Sequence, residues 1–529
     1  MKKQPKPGNI ILAILFGILF LLGITILSLA LWYAENFGIS FKELLYTIRS
    51  PLKGTGTGTI DQIVGAALPY VIIGAVLYVL FCIPLFIRKP ADRIARDLKL
   101  RRKNRFLYRV ERENWQKYDE RRPAHLSLQR TWRKICATAI LLLLVSSIVF
   151  SVVILKIPEY VSLLVQKTTI YEDHYVWPDS VKIEPNGKPK NIIWLYLESM
   201  ETAAASKEDG GIEEENLIPN LTRIARENVF FSDQTDGKLG GFYSPVGTGW
   251  TIAALLASTS GIPFSFDLGD NLSDGMFYRQ KFASGLITFG DILEDFGYQQ
   301  KFVCGSDASF AGRDAYYFQH GDFKIYDIFT ARAKGIVPPD YYDGWWGFED
   351  YYLFEIAKIE IKRMADTGQP FNFTFLTVDT HHSYGHLCPL CENEPGTRLE
   401  RVISCADRQA ADFVEWFKQQ DFYEDTLLVI TGDHPRMDNG LAAYRQPSVY
   451  NCFINSAVSP KSSTEGRVLT TFDLFPTVLA AMGFTIEGDR LGLGVNLFSD
   501  LPTLSEEYGY DWLETEVRKY SYYYIAHFS

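Results

Sequence analysis

The stretch Asn191-Ile192-Ile193-Trp194-Leu195-Tyr196-Leu197 decides the fold. It is a continuous apolar run with many β-forming side chains, which is typical of a strand covered on both faces. Segments with a helical pattern, such as Asp291 to Phe296 and Asp407 to Gln419, separate it from later runs of the same kind. Those runs are Gln300 to Cys304, Phe371 to Val378 and Thr426 to Ile430. Strands that alternate with helices predict an α/β domain built on a mostly parallel sheet.

All four predicted strands end in polar residues. The endings are Glu198-Ser199, Cys304-Gly305-Ser306-Asp307, Asp379-Thr380-His381-His382 and Gly432-Asp433-His434. Ligands bind beyond the carboxyl ends of the strands in sheets of this class. Because carboxylates and imidazoles are good ligands for divalent metals, we expect a metal site where these endings meet.

A second informative stretch is Gly247-Thr248-Gly249-Trp250-Thr251-Ile252-Ala253-Ala254-Leu255-Leu256-Ala257-Ser258. A Gly-rich approach runs into an apolar helix, and Thr251 stands where that helix begins. Its hydroxyl either caps the helix or serves as a nucleophile at the metal site, next to the positive end of the helix dipole. The polar strand ends favour the nucleophile, and we expect the same hydroxyl to cap the helix as well.

Three segments are long, apolar and free of charged residues, at about 10–32, 63–87 and 135–155. Each is long enough to cross the hydrocarbon core of a membrane as a helix. A signal peptide is the alternative for the first, but that segment is too long and lacks a small-residue cleavage site. The sequence therefore predicts a three-helix transmembrane region over residues 1–160.

The loop at 88–134 carries 17 Lys and Arg against 6 Asp and Glu, and the chain begins Met1-Lys2-Lys3. The positive-inside rule places both on the cytoplasmic side. Three crossings then put the α/β domain outside the cytoplasm, in a multi-pass protein of the cell membrane. Membrane orientation accounts for the basic loop, so no nucleic-acid partner is expected.

The remaining chain divides into three predicted parts. Residues 161–189, with prolines amid charged residues, are expected to form an extracytoplasmic linker. The α/β domain is expected to occupy 190–500, and 501–529 to form a helical tail in which Glu506 to Phe528 make an amphipathic helix that covers the domain.

The cysteines of the outer part favour a disulfide. Cys388-Pro389-Leu390-Cys391 resembles half of a zinc ribbon, but no second CxxC motif follows. Disulfides persist outside the cytoplasm. The preferred interpretation is a disulfide from Cys388 or Cys391 to Cys405.

These motifs, in this order and spacing, resemble the outer domain of lipoteichoic acid synthases and their relatives, which is of the sulfatase/alkaline-phosphatase type. Within that group the chain looks closest to the phosphoglycerol transferases of osmoregulated periplasmic glucans. The resemblance covers about residues 190–500. It rests on Leu197-Glu198-Ser199-Met200-Glu201, Gly249-Trp250-Thr251-Ile252-Ala253, Gly261-Ile262-Pro263, Phe310-Ala311-Gly312-Arg313-Asp314, Asp379-Thr380-His381-His382, Gly432-Asp433-His434 and Leu491-Gly492-Leu493-Gly494.

The resemblance implies a metal-dependent transferase. Glu198, Thr251, Asp433 and His434 match the metal-ligand positions of the family, and Thr251 is also the nucleophile. The ion that this implies is manganese, with magnesium or zinc in relatives.

The resemblance also implies the substrate contacts. Arg313 matches a basic residue that holds the substrate phosphate, and His381 matches a histidine near the reacting phosphoryl group. Both therefore count among the expected catalytic residues. His382 and Ser306 are further expected substrate contacts.

The chain departs from lipoteichoic acid synthases at two positions of the head-group pocket. Those enzymes have a histidine and a tryptophan where this sequence has Cys304 and Ala311. Trp250 is a candidate to supply a wall instead, and packing is the alternative for it.

By resemblance, the donor is phosphatidylglycerol and the acceptor is a surface glycan or a teichoic-type polymer. The group transferred is phosphoglycerol, through a phospho-threonine intermediate. Three alternatives stay open: a phosphoethanolamine transferase, a phosphodiesterase or phosphatase of the same fold, and a membrane-anchored binding protein without activity.

Overall fold

The computed structural model describes residues 7–36, 57–86, 134–265, 282–339, 346–381, 385–392, 395–436 and 447–528. The chain forms two compact units, Met1–Glu35 with Ile60–Pro158 and Asn36–Thr59 with Glu159–Ser529. The basic loop predicted at 88–134 lies outside the described residues except for Lys134.

The N-terminal part of the chain is helical. Its helices are Pro7–Asn36, Thr57–Phe86 and Lys134–Ile154. Two stretches, Ile14–Ala34 and Lys134–Ile154, are long and apolar enough to cross a membrane. Apolar side chains such as Val153, which is 62% exposed, point outward from them, as they do in helices that face lipid. The second helix contributes only the shorter apolar stretch Ala67–Val79 among the side chains described, so the third span stays a prediction.

The strands of the second unit are β1 Ile183–Pro185, β2 Asn191–Leu197, β3 Phe242–Tyr243, β4 Gln299–Cys304, β5 Lys324–Tyr326, β6 Phe371–Leu376, β7 Thr426–Gly432, β8 Ser448–Val449, β9 Asn451–Ile454, β10 Phe484–Ile486, β11 Arg490–Leu491 and β12 Gly494–Val495. The main sheet has the order β5-β4-β6-β2-β7-β9. All its neighbouring strands are parallel except β7 and β9. The other strands form the antiparallel pairs β1–β10, β3–β8 and β11–β12.

The four predicted strands are confirmed as β2, β4, β6 and β7, and they are adjacent in the sheet. The strand β2 is covered on both faces, as its sequence predicts. Trp194 packs into the hydrophobic core on one face, and Leu195 packs into the core on the other face. The carboxyl ends of these four parallel strands therefore lie along one edge of the sheet.

Helices flank the sheet on both faces. They are Pro219–Glu227, Thr251–Ser260, Phe289–Asp295, Arg313–Gln319, Ile328–Ala333, Asp350–Ala365, Arg398–Lys418 and Leu474–Ala481. The helices Asp350–Ala365 and Arg398–Lys418 contribute to one core, and Thr251–Ser260 and Leu474–Ala481 contribute to the other. The helix that begins at Thr251 therefore packs in the core on the same face of the sheet as Leu474–Ala481.

The structure corrects the linker predicted at 161–189. Part of this segment folds into the helices Ile157–Val165 and Ile170–His174, and β1 pairs with β10. Tyr171 is buried against Tyr524 and Phe528 near the C-terminus, because its aromatic ring completes the core there.

The predicted single helix of the C-terminal tail also needs correction. The tail forms three short helices, Leu504–Tyr508, Tyr510–Arg518 and Tyr522–Phe528. Gly509, with a φ of +94°, separates the first two. Buried side chains such as Leu513 and Phe528 join these helices to the domain core.

Candidate active site

The pairing of β2 with β7 brings three predicted metal ligands together. Leu197 and Gly432 are register partners, so Glu198 and Asp433 leave the sheet side by side. Glu198, Asp433 and His434 each offer one ligand atom, and these atoms lie within 4.8 Å of one another. All three side chains are buried.

The glycine in the Gly432-Asp433-His434 motif has a steric reason. A Cβ atom at position 432 would lie 2.2 Å from the carbonyl oxygen of Met200. Only glycine permits the end of β7 to pass this close to the segment that follows Glu198.

The ligand atoms are oriented by the backbone. Nδ1 of His434 donates to the carbonyl of Pro435 at 2.7 Å, which leaves Nε2 facing the carboxylates. Oδ1 of Asp433 accepts from the backbone N–H groups of Ser199 and His434, both at 2.8 Å. Oδ2 of Asp433 is buried, accepts no hydrogen bond among the described residues and lies 3.3 Å from Nε2 of His434. A buried oxygen and a ring nitrogen directed at one point suit a cation.

Ser199 supports both carboxylates. Its hydroxyl donates to Oε1 of Glu198 at 2.7 Å, and its N–H is one of the two donors to Asp433. The residue adopts a φ of +51°, which aims the two groups in this way. Its position directly after Glu198 was visible in the sequence, but the sequence does not show which way its hydroxyl points.

The electrostatics of the group also favour a cation. Burial, followed by the negative charge of Glu198, raises the pKa of Asp433 to about 7. Burial would raise the pKa of Glu198, but the positive forms of His381 and His434 hold it below its usual value. Burial would lower the pKa of His434, but the charges of Asp433 and Glu198 raise it instead. Two buried carboxylates repel each other, and a divalent cation would relieve that repulsion. The donor set therefore fits a divalent metal.

Thr251 lies beside this group. Its Oγ1 is 3.4 Å from Oε2 of Glu198 and 3.4 Å from Nε2 of His434. The helix Thr251–Ser260 has Trp250 at its N-cap, and no side chain caps it. The prediction that the Thr251 hydroxyl caps the helix was therefore wrong, because the residue already has helical geometry and its side chain turns toward the carboxylate.

Arg313 and Ser306 come together on the loop that follows β4. Nη2 of Arg313 donates to Oγ of Ser306 at 2.9 Å and to the carbonyl of Asp307 at 2.7 Å. Nε donates to the carbonyl of Phe310 at 3.2 Å. The guanidinium group is buried and fixed by its own loop, so any contact with a phosphate would be made by a preorganised side chain.

His381 lies on the loop that follows β6 and contacts an aromatic ring that is tilted by 40° to its own. The ring centroids of His381 and Trp346 are 4.4 Å apart, and Trp346 also contacts Phe310, at 5.2 Å. The sequence does not reveal the contact of Trp346 with His381, because the two residues are far apart along the chain. His382 lies outside the described residues.

Cys304 and Ala311, where the sequence departs from lipoteichoic acid synthases, lie in the core and in a tight turn respectively. Cys304 is buried, and burial raises the pKa of its thiol to about 11. Ala311 has a φ of +57° in the turn before Arg313. Trp250 is 7% exposed and packs edge-to-face on Phe264, as a core residue does, and its role as a wall of the pocket stays a prediction.

The predicted disulfide is absent from the described cysteines. Cys388, Cys391 and Cys405 do meet, but as three free thiols. The sulfur of Cys388 is 3.5 Å from that of Cys391 and 3.8 Å from that of Cys405, and both distances are too long for a disulfide bond of about 2 Å.

Comparison with known families places the α/β domain in one of them. The family described as sulfatase matches residues 190–484, more than half of the chain. The matched segment contains Glu198, Thr251, Asp433 and His434.

Comparison with curated proteins gives relatives that share part of their length with this chain. Phosphoglycerol transferase I from Xanthomonas campestris pv. campestris (strain B100) is 34% identical over 265 residues, which are 49% of this chain and 36% of that protein. Phosphoglycerol transferase I from Salmonella choleraesuis (strain SC-B67) is 30% identical over 335 residues, 61% of this chain and 41% of that protein. The chain thus spans well under half the length of these relatives.

Solved structures with a similar fold include a lipoteichoic acid synthase and a phosphoethanolamine transferase. The lipoteichoic acid synthase LtaP from Listeria monocytogenes has a TM-score of 0.44 and 18% identity, and the match covers 60% of this chain and 79% of that one. The lipooligosaccharide phosphoethanolamine transferase A from Neisseria meningitidis, an integral membrane protein, has a TM-score of 0.47 and 14% identity, with 89% and 84% covered.

Proposed function

This chain belongs to the sulfatase family, and we propose that it is a membrane-anchored enzyme that transfers phosphoglycerol from phosphatidylglycerol to an extracytoplasmic saccharide or polymer. One observation carries the proposal. The hydroxyl of Thr251 lies 3.4 Å from two members of a buried Glu198–Asp433–His434 group that fits a divalent metal. The choice of phosphoglycerol as the transferred group rests on the curated relatives, which are named phosphoglycerol transferase I.

The metal would be held by Glu198, Asp433 and His434, with the hydroxyl of Thr251 as a further ligand. Manganese is the ion we expect, with magnesium and zinc as the alternatives. When bound, such an ion lowers the pKa of a hydroxyl and neutralises charge that develops on a phosphoryl group.

The side chains then have distinct roles in a two-step displacement. Oγ1 of Thr251 releases its proton to solvent and attacks phosphorus, the bond from phosphorus to the diacylglycerol oxygen breaks, and a phospho-threonine forms. In the second step the acceptor oxygen attacks the same phosphorus, the bond from phosphorus to Oγ1 breaks, and the Thr251 hydroxyl is regenerated. His381 protonates the departing alkoxide and later takes the proton of the acceptor hydroxyl. Arg313 holds a non-bridging oxygen through Nη1, because Nη2 and Nε already donate to the loop that fixes the guanidinium group.

The apolar helices make a lipid donor physically sensible. Two of them are long enough to anchor the chain in a membrane, and the third predicted span would place the catalytic domain outside the cytoplasm. The phosphate of a phospholipid lies at the membrane surface, where a tethered domain meets it. We propose a surface glycan or a teichoic-type chain as the acceptor.

The test uses the full chain in detergent with fluorescent phosphatidylglycerol and Mn²⁺. We expect release of diacylglycerol that Thr251→Ala abolishes and that Thr485→Ala, at an exposed position on β10, leaves unchanged. Release undiminished in Thr251→Ala would refute the proposal.

Two further arms separate the alternatives. Preferred turnover of phosphatidylethanolamine would assign a phosphoethanolamine transferase, and full turnover without acceptor would assign a phosphodiesterase. A chain that binds no metal and releases no diacylglycerol would be a binding protein.

A further inference from the structure

A second group of metal-ligating side chains lies outside the candidate active site. Cys388 precedes the short helical turn Pro389–Cys391, Cys391 is the last residue of that turn, and Cys405 lies on the helix Arg398–Lys418. The three thiols are 2%, 1% and 1% exposed. They form a small cluster of their own, and their sulfur atoms lie within 4.8 Å of one another.

The distances between these sulfurs match a shared metal ion. The sulfur of Cys388 is 3.5 Å from that of Cys391 and 3.8 Å from that of Cys405. Tetrahedral zinc with Zn–S bonds of about 2.3 Å places its sulfur ligands about 3.8 Å apart. A disulfide would join only two sulfurs, at about 2 Å, and would leave the third without a role. Three sulfurs at mutual contact therefore correspond to one face of a zinc tetrahedron.

The surroundings offer positive charge and hydrogen-bond donors to the cluster. Nε2 of Gln409 donates to the sulfur of Cys405 at 3.4 Å, and Nη2 of Arg408 lies 3.7 Å from the same sulfur. Nη2 of Arg401 donates to the carbonyl of Cys391 at 2.9 Å. Three thiolates and one Zn²⁺ carry a net charge of −1, which the guanidinium group of Arg408 beside Cys405 offsets.

We propose that Cys388, Cys391 and Cys405 bind one Zn²⁺ through three thiolates, in a centre separate from the Glu198 group. Binding releases three thiol protons to solvent, and an oxygen or nitrogen donor takes the fourth position. The centre fastens the segment 385–392 to the helix Arg398–Lys418.

That segment continues the loop that carries His381. The backbone N–H of Gly385 donates to the carbonyl of His381 at 3.1 Å, and the N–H of His386 donates to the carbonyl of Asp379 at 2.6 Å. Fixing residues 388 and 391 thus restrains the far end of the same loop. The zinc centre is structural, since all the ligands that we assign are buried protein sulfurs.

The test uses the full chain in detergent, purified with a reductant and loaded with Co²⁺. Thiolate ligands give Co²⁺ an intense sulfur-to-metal charge-transfer absorption in the near ultraviolet, which oxygen and imidazole ligands at the Glu198 group do not give. We expect this absorption in the wild type and its displacement by Zn²⁺. We expect Cys405→Ser to lose it and Cys452→Ser, at another buried free thiol, to keep it.

Elemental analysis should give one zinc less per chain in Cys405→Ser than in Cys452→Ser. Absence of the charge-transfer absorption in the reduced wild type would overturn the proposal, whether or not the variants fold. A peptide map of protein isolated without reductant that finds Cys405 in a disulfide would also overturn it.

Discussion

Replacing Ser199 by alanine tests how the metal ligands are held. The hydroxyl of Ser199 donates to Oε1 of Glu198 at 2.7 Å, and its backbone N–H donates to Oδ1 of Asp433 at 2.8 Å. Ser199→Ala removes the first bond and keeps the second. The expected defect is therefore confined to the orientation of one carboxylate.

The size of the defect follows from the burial of that bond. A hydrogen bond to a charged group contributes about 1.5–3 kcal/mol, and Glu198 is buried, so solvent does not replace the lost donor. At about 1.4 kcal/mol per tenfold change, Mn²⁺ should bind roughly 10–100-fold more weakly. Groups that orient metal ligands contribute a similar factor in other metal sites.

Isothermal titration of the metal-free full chain with Mn²⁺ measures this change. Saturating Mn²⁺ should restore most diacylglycerol release, since Thr251 and His381 are untouched. Ser232→Ala is the matched control, because this buried hydroxyl donates to the carbonyl of Lys238 and touches no ligand. Equal Mn²⁺ affinity in Ser199→Ala and wild type would refute the assignment of Glu198 as a ligand held by Ser199.

Three further substitutions test the packing at Gly432, the contact of Trp346 with His381 and the ionisation of Asp473. Gly432→Ala places a Cβ atom 2.2 Å from the carbonyl oxygen of Met200, so we expect the free energy of unfolding, measured thermally, to fall by about 1–3 kcal/mol. We also expect Mn²⁺ to stabilise this variant less than it stabilises the wild type, and an equal stabilisation would contradict this expectation. Trp346→Ala removes the ring 4.4 Å from His381 and should lower kcat for diacylglycerol release roughly tenfold while the Kd for Mn²⁺, measured by titration, stays constant. Burial raises the pKa of Asp473 to about 7, so its ionisation should remove up to about 4 kcal/mol of stability as pH rises from about 4 to 7. Asp473→Asn should abolish this loss of stability between about pH 4 and 7, as measured by urea unfolding. An identical pH profile of stability in the variant would refute the assignment of the loss to Asp473.

Much of the fold could be predicted from the sequence because the strands are buried on both faces. A continuous apolar run such as Asn191–Leu197 indicates a covered strand, and alternation with helices indicates parallel pairing. The edge strand Asn451–Ile454 was not predicted, since nothing in a short run encodes that it pairs antiparallel with its neighbour. The prolines and charges of the segment 161–189 predict a linker, because they mask the few residues, such as Tyr171, that pack into the core.

The candidate site was predictable as a set of residues and less so as a geometry. Parallel strands end at one edge, so Glu198 and Asp433 had to lie close together once β2 and β7 were neighbours. The direction of a hydroxyl depends on backbone angles that composition does not reveal, which is why the capping interpretation of Thr251 was wrong. The contact of Trp346 with His381 likewise depends on how two distant loops pack.

The central claim is that Thr251 carries the transferred group between donor and acceptor. The direct measurement incubates the full chain with phosphatidylglycerol and Mn²⁺ without acceptor, quenches with acid and maps peptides by mass spectrometry. We expect a phosphoglycerol ester on Thr251 that disappears when a glycan acceptor is added. Diacylglycerol release at the wild-type rate with Thr251 unmodified, or in Thr251→Val, would contradict it.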